Sequence, residues 1–356
     1  MRSRAAWLIS PRWAAAAVTL AAAVVLLLAV SSAPQAGTAV VARHPPPVRS
    51  ADMLRRAGGV LWWVDGDCRL YRDALSSRHL DRAPGRFCRA WPSPDGSVVL
   101  AAPREGPAMP PPGRLEALDG SSLSVTTVTG LPADSVVGPV AWSPDSLLAA
   151  VCLGTTPANG RISVMAAPWR RGNAVPDRCS PGFTPSVTML TTDGTRVYEN
   201  GFDLHLSGQL ARAVGSGPGG YRVTALTALP DGVAVAVHAG RTGVAAGPGR
   251  SAIVVVDRGH PGIPPVPTPH GASELGSAPG GTAIWYRDAT RRRCLLIPLL
   301  RPPPPGLPRV AAAFAFSPDG RYAAAAQARR VVVVDTRTGA RGLAPAAGAV
   351  SLAWTG

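Results

Sequence analysis

The sequence predicts an all-β fold, a seven-bladed β-propeller preceded by one N-terminal transmembrane helix. Three observations predict it: a turn motif that recurs at blade-like intervals, an incomplete repeat at each end of the globular region, and one long apolar run near the N-terminus. Gly and Pro contribute 39 and 38 of the 356 residues, which suits many short strands joined by many turns. Some copies of the motif are degenerate, so six or eight blades remain alternatives.

The apolar run, residues 13–30, carries no charge and is long enough to cross a bilayer as a helix, which takes about 17–25 residues. Three arginines in residues 1–12 precede it and predict a short cytoplasmic segment, because positive charge stays inside. A cleaved signal peptide is the alternative, since Ser31-Ser32-Ala33 loosely fits a cleavage site. Both readings export the remaining chain, beginning with a Pro-rich stem over residues 31–57.

The turn motif is clearest at residues 91–96, 141–145 and 314–320, where Ser-Pro-Asp, twice with Gly, separates two apolar strands. Pro presets φ for the first turn position, and Gly takes the positive φ that closes the turn. Each copy therefore predicts a β-hairpin. The residues predicted to form such turns are Pro94, Asp95, Gly96, Pro144, Asp145, Pro230, Asp231, Gly232, Pro318, Asp319 and Gly320.

The spacing of the turns predicts the number of blades. When weaker copies of the turn motif centred on positions 193 and 280 are included, the Asp positions or their equivalents in successive copies are 38 to 50 residues apart. Propeller blades repeat at about 40–50 residues. Residues 350–356 look like the first strand of another repeat, and residues 58–65 look like a blade that lacks its first strand. One blade is therefore shared between the termini, and residues 58–356 are expected to form seven blades.

These Ser-Pro-Asp-Gly units resemble the repeats of the TolB-like and WD40-like β-propeller families of bacteria. The resemblance covers residues 58–356, although no Trp-Asp dipeptide is present. It implies the propeller fold and does not identify a partner. Propellers of this type are commonly protein-binding platforms, but function does not follow from fold. Four tryptophans recur near the starts of blades and are expected to pack between them: Trp91, Trp142, Trp285 and Trp354.

Five cysteines are spread over the chain: Cys68, Cys88, Cys152, Cys179 and Cys294. Export permits disulfides, and pairing between neighbours gives Cys68–Cys88 and Cys152–Cys179 with Cys294 free. Spacing does not fix connectivity, and small buried thiols are the alternative. No C-x-x-C motif is present and the six histidines are dispersed. The sequence therefore predicts neither a metal site nor a cofactor.

No complete catalytic motif is found. Residues 215–220 match G-x-G-x-x-G, but Pro218 interrupts the motif and a strand follows it instead of a helix. The net charge is +15, yet the arginines are scattered and aromatic residues make up only 5% of the chain, so nucleic acid is not the expected partner. The densest basic run, residues 291–293, is expected in a solvated turn, with contact to anionic headgroups or wall polymers as the alternative.

The function expected from these observations is a membrane-anchored, non-catalytic platform outside the cytoplasm, which binds an unknown protein or another cell-envelope partner. One alternative is a propeller enzyme of the lyase, glycan hydrolase or quinoprotein type, with a composite site in the central funnel. Another is a binder of anionic cell-wall polymer or lipid through surface arginines.

Overall fold

A computed structural model describes most of the chain from residue 50 onward. The described residues are 50–77, 79–104, 114–132, 136–143, 145–156, 159–179, 212–215, 221–229, 232–239, 251–257, 262–290, 293–299 and 302–356. The predicted membrane span, residues 13–30, lies outside them, as does most of the predicted stem. None of the helices formed by the described residues has the length and apolar character that a membrane span requires.

The described strands form six four-stranded antiparallel sheets, the blades of a β-propeller. In sheet order, blade one is β24 (Ala349–Thr355), β1 (Val60–Asp65), β2 (Leu70–Ala74) and β3 (His79–Arg82); blade two is β4 (Phe87–Pro92), β5 (Val98–Pro103), β6 (Glu116–Asp119) and β7 (Val125–Thr127); blade three is β8 (Val136–Trp142), β9 (Leu148–Thr156), β10 (Asn159–Ala166) and β11 (Arg170–Cys179). Blade four is β12 (Tyr221–Leu229), β13 (Gly232–Ala239), β14 (Ser251–Asp257) and β15 (Val266–Pro267); blade five is β16 (Ala272–Ser277), β17 (Ala283–Asp288), β18 (Cys294–Pro298) and β19 (Val310–Ala311); blade six is β20 (Phe314–Phe316), β21 (Tyr322–Gln327), β22 (Arg330–Asp335) and β23 (Arg341–Pro345).

The predicted blade number is corrected: the part of the chain that the structure describes contains six blades and not seven. The count of seven included the weak turn mark at Asp193, which falls in residues 180–211, outside the described residues. The mark at Gly280 does separate two strands of blade five, through a short 3-10 helix over Pro279–Gly281.

The two ends of the propeller meet in blade one. The last strand of the chain, β24, pairs antiparallel with β1, with Val60 opposite Thr355 and Leu61 opposite Trp354. The indole Nε1 of Trp62 donates a hydrogen bond to Thr355 Oγ1 at 3.1 Å. The expectation of a blade shared between the termini is therefore met. Closure of this kind pairs two strands that would otherwise be exposed sheet edges.

The hydrophobic core lies mainly between adjacent blades. Trp142 is a good example, because its Nε1 donates to the backbone oxygen of Trp91 at 3.0 Å and so joins blades three and two. Between blades six and one, Tyr322 stacks on Trp354 with ring centroids 6.2 Å apart. Trp285 packs against the cluster shared by blades five and six. The four repeated tryptophans thus pack between blades, as expected.

One helix, α1 (Ser50–Ala57), occupies the last eight residues of the predicted stem. It packs on β23 of blade six, where Met53 and Leu54 are buried in the cluster between blades six and one. Its exposed side carries an ion pair of 2.9 Å between Arg55 and Asp52. Residues 50–57, which were expected to belong to the stem, are therefore helical and pack against blade six.

Candidate functional site

The propeller has two faces with different chemistry. Within each blade the strands are antiparallel, so hairpin connections alternate between the two ends. We call the end that carries the connections between first and second strands, such as residues 93–97 and 317–321, the turn face. The opposite end carries the connections between second and third strands and those between blades, such as residues 66–69, 289–293 and 328–329, and we call it the loop face.

On the turn face, a serine and an aspartate organise each Ser-Pro-Asp turn. Ser317 Oγ donates to Asp319 Oδ1 at 2.6 Å and accepts the backbone N–H of Tyr322 at 2.8 Å. Asp319 Oδ1 also accepts the N–H of Arg321 at 3.0 Å. The bond from Ser317 is the largest of the effects that hold the pKa of Asp319 below its ordinary value. The turn of blade three is built in the same way, with Ser143 and Asp145 in these roles.

The predicted turn residues are placed as follows. Pro94, Asp95 and Gly96 lie between β4 and β5, and Asp145 lies between β8 and β9. Pro318, Asp319 and Gly320 lie between β20 and β21, and Gly232 begins β13, while Pro144, Pro230 and Asp231 lie outside the described residues. The position taken by Gly96 and Gly320, with φ of 71° and 68°, is occupied in blade three by Ser146 with φ of 64°.

On the turn face, the turns of blades two and three and the end of β24 contact one another. The backbone N–H of Asp95 donates to Ser146 Oγ at 3.1 Å, which joins the turns of blades two and three. A Cβ added at Gly96 would lie 2.5 Å from Thr355 Oγ1, so only glycine fits beside the end of β24. The N–H of Gly356 reaches the carbonyl of Pro94 at 3.4 Å. The turn motif therefore links blades one, two and three.

On the loop face, Arg287 joins three blades. Its Nε donates to Glu274 Oε2 at 2.6 Å, its Nη1 to the carbonyl of Ala312 at 3.2 Å, and its Nη2 to the carbonyl of Val350 at 2.9 Å. These partners lie in blade five, in the connection to blade six, and in β24 of blade one. Burial lowers the pKa of Arg287, but electrostatic interaction with Glu274 and Cys294, together with the hydrogen bond to Glu274, raises it by more. The pKa of the arginine therefore lies above its ordinary value. All three guanidinium nitrogens are used to position blades.

The free thiol of Cys294 lies beside this group. The residue is buried, and Sγ donates to the carbonyl of Ala312 at 3.4 Å. Burial is the main cause that raises the pKa of Cys294 to about 12, against a smaller opposing effect of Arg287. Since the thiolate is the nucleophile in cysteine chemistry, this side chain is a structural thiol.

A second polar group lies at the loop-face end of blade four. His238 Nδ1 contacts Ser251 Oγ, and the carbonyl of Ser251 accepts the N–H of Thr268 at 2.9 Å. The sequence did not predict this group, because Ser251 and Thr268 lie 13 and 30 positions after His238 and no motif links such distant residues. Ser251 is buried, so its hydroxyl does not meet the access requirement of a serine nucleophile.

The structure tests the cysteine predictions in part. Cys68 and Cys88 form a disulfide with Cα atoms 4.2 Å apart, which confirms this pair and links the β1–β2 connection of blade one to β4 of blade two. Cys152 is also disulfide-bonded, but the side chain of Cys179 lies outside the described residues, so Cys152–Cys179 stays a prediction. Within the described residues, no three His, Cys, Asp or Glu side chains are arranged to hold a metal ion.

The loop face gathers arginines that the sequence scatters. Seven are solvent-exposed at or next to loop-face strand ends and form no ion pair with a described carboxylate: Arg82, Arg86, Arg89, Arg104, Arg293, Arg329 and Arg330. The carboxylates near them are already paired, Asp67 with Arg69 at 3.3 Å and Glu274 with Arg287 at 2.6 Å. Glu116 pairs likewise with Arg114 at 2.9 Å. The described part of this face therefore carries uncompensated positive charge.

Comparison with known proteins identifies similar solved structures but no family. No family model matches the chain, and no curated protein sequence matches it. Among solved structures, it is similar to TolB from Acinetobacter baumannii, with 14% identity, a TM-score of 0.43, and 83% of this chain and 66% of the TolB chain covered. The chain thus spans slightly less than two thirds of that TolB.

For two further similar structures, the match spans almost the whole length of the other protein. One is a functionally unknown protein from Desulfotomaculum acetoxidans, with 11% identity, a TM-score of 0.47, and 83% and 99% of the two chains covered. The other is the periplasmic gluconolactonase of Pseudomonas aeruginosa, with 16% identity, a TM-score of 0.44, and 84% and 99% covered. At these identities, and with TM-scores below 0.5, the likeness does not decide between binding and catalysis.

Proposed function

We propose that this protein is a non-catalytic binding platform whose loop face engages the partner. One observation carries the proposal: on this face, Arg287, Glu274 and Cys294 are engaged in structure, while a set of exposed arginines forms no ion pair with a described carboxylate. Arg287 and Glu274 bind each other and the backbone of neighbouring blades. A face with occupied reactive groups and unpaired surface charge favours recognition over catalysis.

Candidate groups for general acid–base or nucleophilic catalysis support the same conclusion. A general base needs a pKa near the working pH and a clear path to substrate. The pKa of Cys294 is about 12, and Ser251 is buried. The aspartates of the turn face, whose pKa values are lowered, are held by hydrogen bonds that build the turns.

The disulfide supports a location outside the cytoplasm. Cytosolic thiols are kept reduced, whereas exported proteins form structural disulfides. Cys68–Cys88 connects two blades, so it acts as a structural link. We therefore place the propeller outside the cytoplasm as part of this proposal, tethered by the apolar run at residues 13–30.

Photo-crosslinking from the two faces tests the proposal. The amino acid p-benzoylphenylalanine replaces Ala328, an exposed residue of the loop face, or Leu147, an exposed residue of the turn face. Each full-length variant is irradiated in intact cells. We expect a discrete adduct from position 328 and none from position 147, because the turn face is committed to contacts within the ring.

Leu147 is the matched control, since it is 66% exposed and equally able to capture a passing protein or polymer. Adducts from position 147 alone would contradict the proposal, and so would the absence of adducts from both. A purified protein that turned over a sugar, lactone or alcohol substrate would replace the binding role with an enzymatic one.

A further inference from the structure

We infer that the loop face across blades five, six, one and two binds a linear, phosphate-bearing polymer of the cell envelope. This inference rests on the proposed binding function and names the chemistry of the partner. It starts from the arrangement of the seven exposed arginines defined above, which form no ion pair with a described carboxylate and are here called the arginine set.

Ring closure makes the arginine set continuous. Arg293 belongs to blade five and Arg330 to blade six, Arg82 ends β3 of blade one, and Arg86 lies in the connection that enters blade two. Because β24 pairs with β1, blade six is followed directly by blade one and then by blade two. The arginines therefore occupy consecutive blades, although more than 200 residues separate Arg86 from Arg293 in the chain.

Covalent and main-chain links fix the positions of these loops. Cys88 lies between Arg86 and Arg89 in the sequence, and its disulfide to Cys68 holds that segment against blade one. The N–H of Arg104 donates to the carbonyl of Arg86 at 2.8 Å, which joins two arginine-bearing connections. Rigid placement reduces the entropy lost when a ligand binds.

A similar chain of main-chain bonds fixes blade six against blade one. The N–H of Gly348 donates to the carbonyl of Ala328 at 3.1 Å, and the carbonyl of Gly348 accepts the N–H of Gly66 at 3.2 Å. Ala328 immediately precedes Arg329 and Arg330. The guanidinium groups of blade six thus project from an anchored turn.

The charge on this face suits phosphate. A guanidinium group presents paired N–H donors that match phosphate oxygens and keep their charge at every physiological pH. The described carboxylates of the loop face are paired with other arginines or buried, so they do not neutralise the arginine set. Several phosphates on one flexible chain could engage several arginines together and release counterions as they bind.

A bilayer surface fits this face less well than a soluble polymer. Stable attachment to a membrane interface combines basic residues with exposed apolar side chains that enter the lipid. The described large apolar residues that are exposed lie mostly elsewhere: Leu147 is on the turn face, and Leu80, Val125, Val310 and Leu343 are in fourth strands. Only Val350 among them lies at the loop-face end of its strand.

The test measures binding of fluorescently labelled inorganic polyphosphate to the full-length protein in neutral detergent, by fluorescence anisotropy over a series of salt concentrations. The test variant is Arg86→Gln/Arg89→Gln/Arg104→Gln. The matched control, Arg56→Gln/Arg309→Gln/Arg337→Gln, removes three exposed arginines outside the arginine set. We expect the test variant to bind about 30-fold more weakly than the wild type, from roughly three-fold per exposed contact, and the control to change less than about three-fold.

The salt dependence gives a second readout, because each lost phosphate contact reduces the slope of log affinity against log salt by roughly one. Equal losses in the two variants would overturn the inference, since net charge alone would then explain binding. Tighter binding of poly-glutamate than of polyphosphate would overturn the choice of phosphate. Displacement of the probe by phosphatidylglycerol vesicles at lower phosphate concentration than by unlabelled polyphosphate would overturn the choice of a polymer.

The two proposals fail separately. If polyphosphate does not bind but position 328 still gives an adduct in cells, the phosphate-bearing partner is wrong and the binding platform stands. If position 328 gives no adduct and polyphosphate does not bind, both are wrong.

Discussion

Removal of the Cys68–Cys88 disulfide should lower the stability of the propeller by an amount set by loop entropy. The two cysteines are 20 residues apart in sequence. Closing a loop of that length in the unfolded chain costs about 3 kcal/mol at 25 °C in the chain-entropy model. The double variant Cys68→Ser/Cys88→Ser keeps similar side-chain volumes, so most of the loss should come from the unfolded state.

The expected shift in melting temperature follows from the size of the domain. An unfolding entropy of about 2.1 cal/mol/K per residue over roughly 300 residues means that 3 kcal/mol corresponds to about 5 °C. Urea denaturation and differential scanning calorimetry of the full-length protein, without reductant, give the two quantities. The variant keeps Cys152, so the other disulfide is left intact, whereas reduction of the wild type would break both.

Peptide mapping under non-reducing conditions should first show the Cys68–Cys88 linkage in the wild type. A variant that matches the wild type in melting temperature and in urea midpoint would refute the reasoning. The linkage would then add no constraint beyond the packing of blades one and two.

Three further predictions concern buried polar groups and pH. Ser317→Ala should lower the free energy of unfolding by about 2 kcal/mol, because the N–H of Tyr322 loses its buried acceptor. The exposed control Thr338→Ala should change it by less than about 0.5 kcal/mol, and equal effects of the two variants in urea denaturation would contradict the prediction. The folded-state pKa of Asp319 is lowered, so its carboxylate contributes fully to stability above about pH 4, and this contribution is lost as the pH falls through the folded pKa. Asp319→Asn should therefore lose less unfolding free energy in acid than the wild type, and parallel curves of unfolding free energy against pH would argue against this. Burial raises the pKa of Asp73, so its carboxylate destabilises the fold at neutral pH. Asp73→Asn should therefore unfold at a higher urea concentration than the wild type at pH 7 and lose that advantage in acid. A lower urea midpoint for the variant at pH 7 would show that the carboxylate is stabilised.

The turn motif could be predicted from the sequence because its chemistry is local. Ser317, Pro318, Asp319 and Gly320 bond within five residues of one another, so the residue types alone predict a hairpin. Ring closure could also be predicted, since the incomplete repeats at the two ends of the propeller complement each other. Counting blades was less secure, because the weak mark at Asp193 has no serine or proline to support it.

The candidate site could not be predicted in the same way. Arg287 reaches the carbonyl of Val350, 63 residues further along the chain, and no local pattern encodes that contact. The arginine set is likewise scattered in sequence and meets only because the blades form a ring. Helix α1 was missed for a related reason: Met53 and Leu54 form too short an apolar face to signal a helix, and packing against blade six stabilises it.

Hydrogen exchange of the full-length protein, measured with and without polyphosphate, tests most directly whether the loop face is the binding surface. We expect slower exchange in loop-face segments, residues 84–89 and 328–330, and unchanged exchange in the turns at residues 93–97 and 317–321. Protection confined to those turns, or no change on either face, would contradict it.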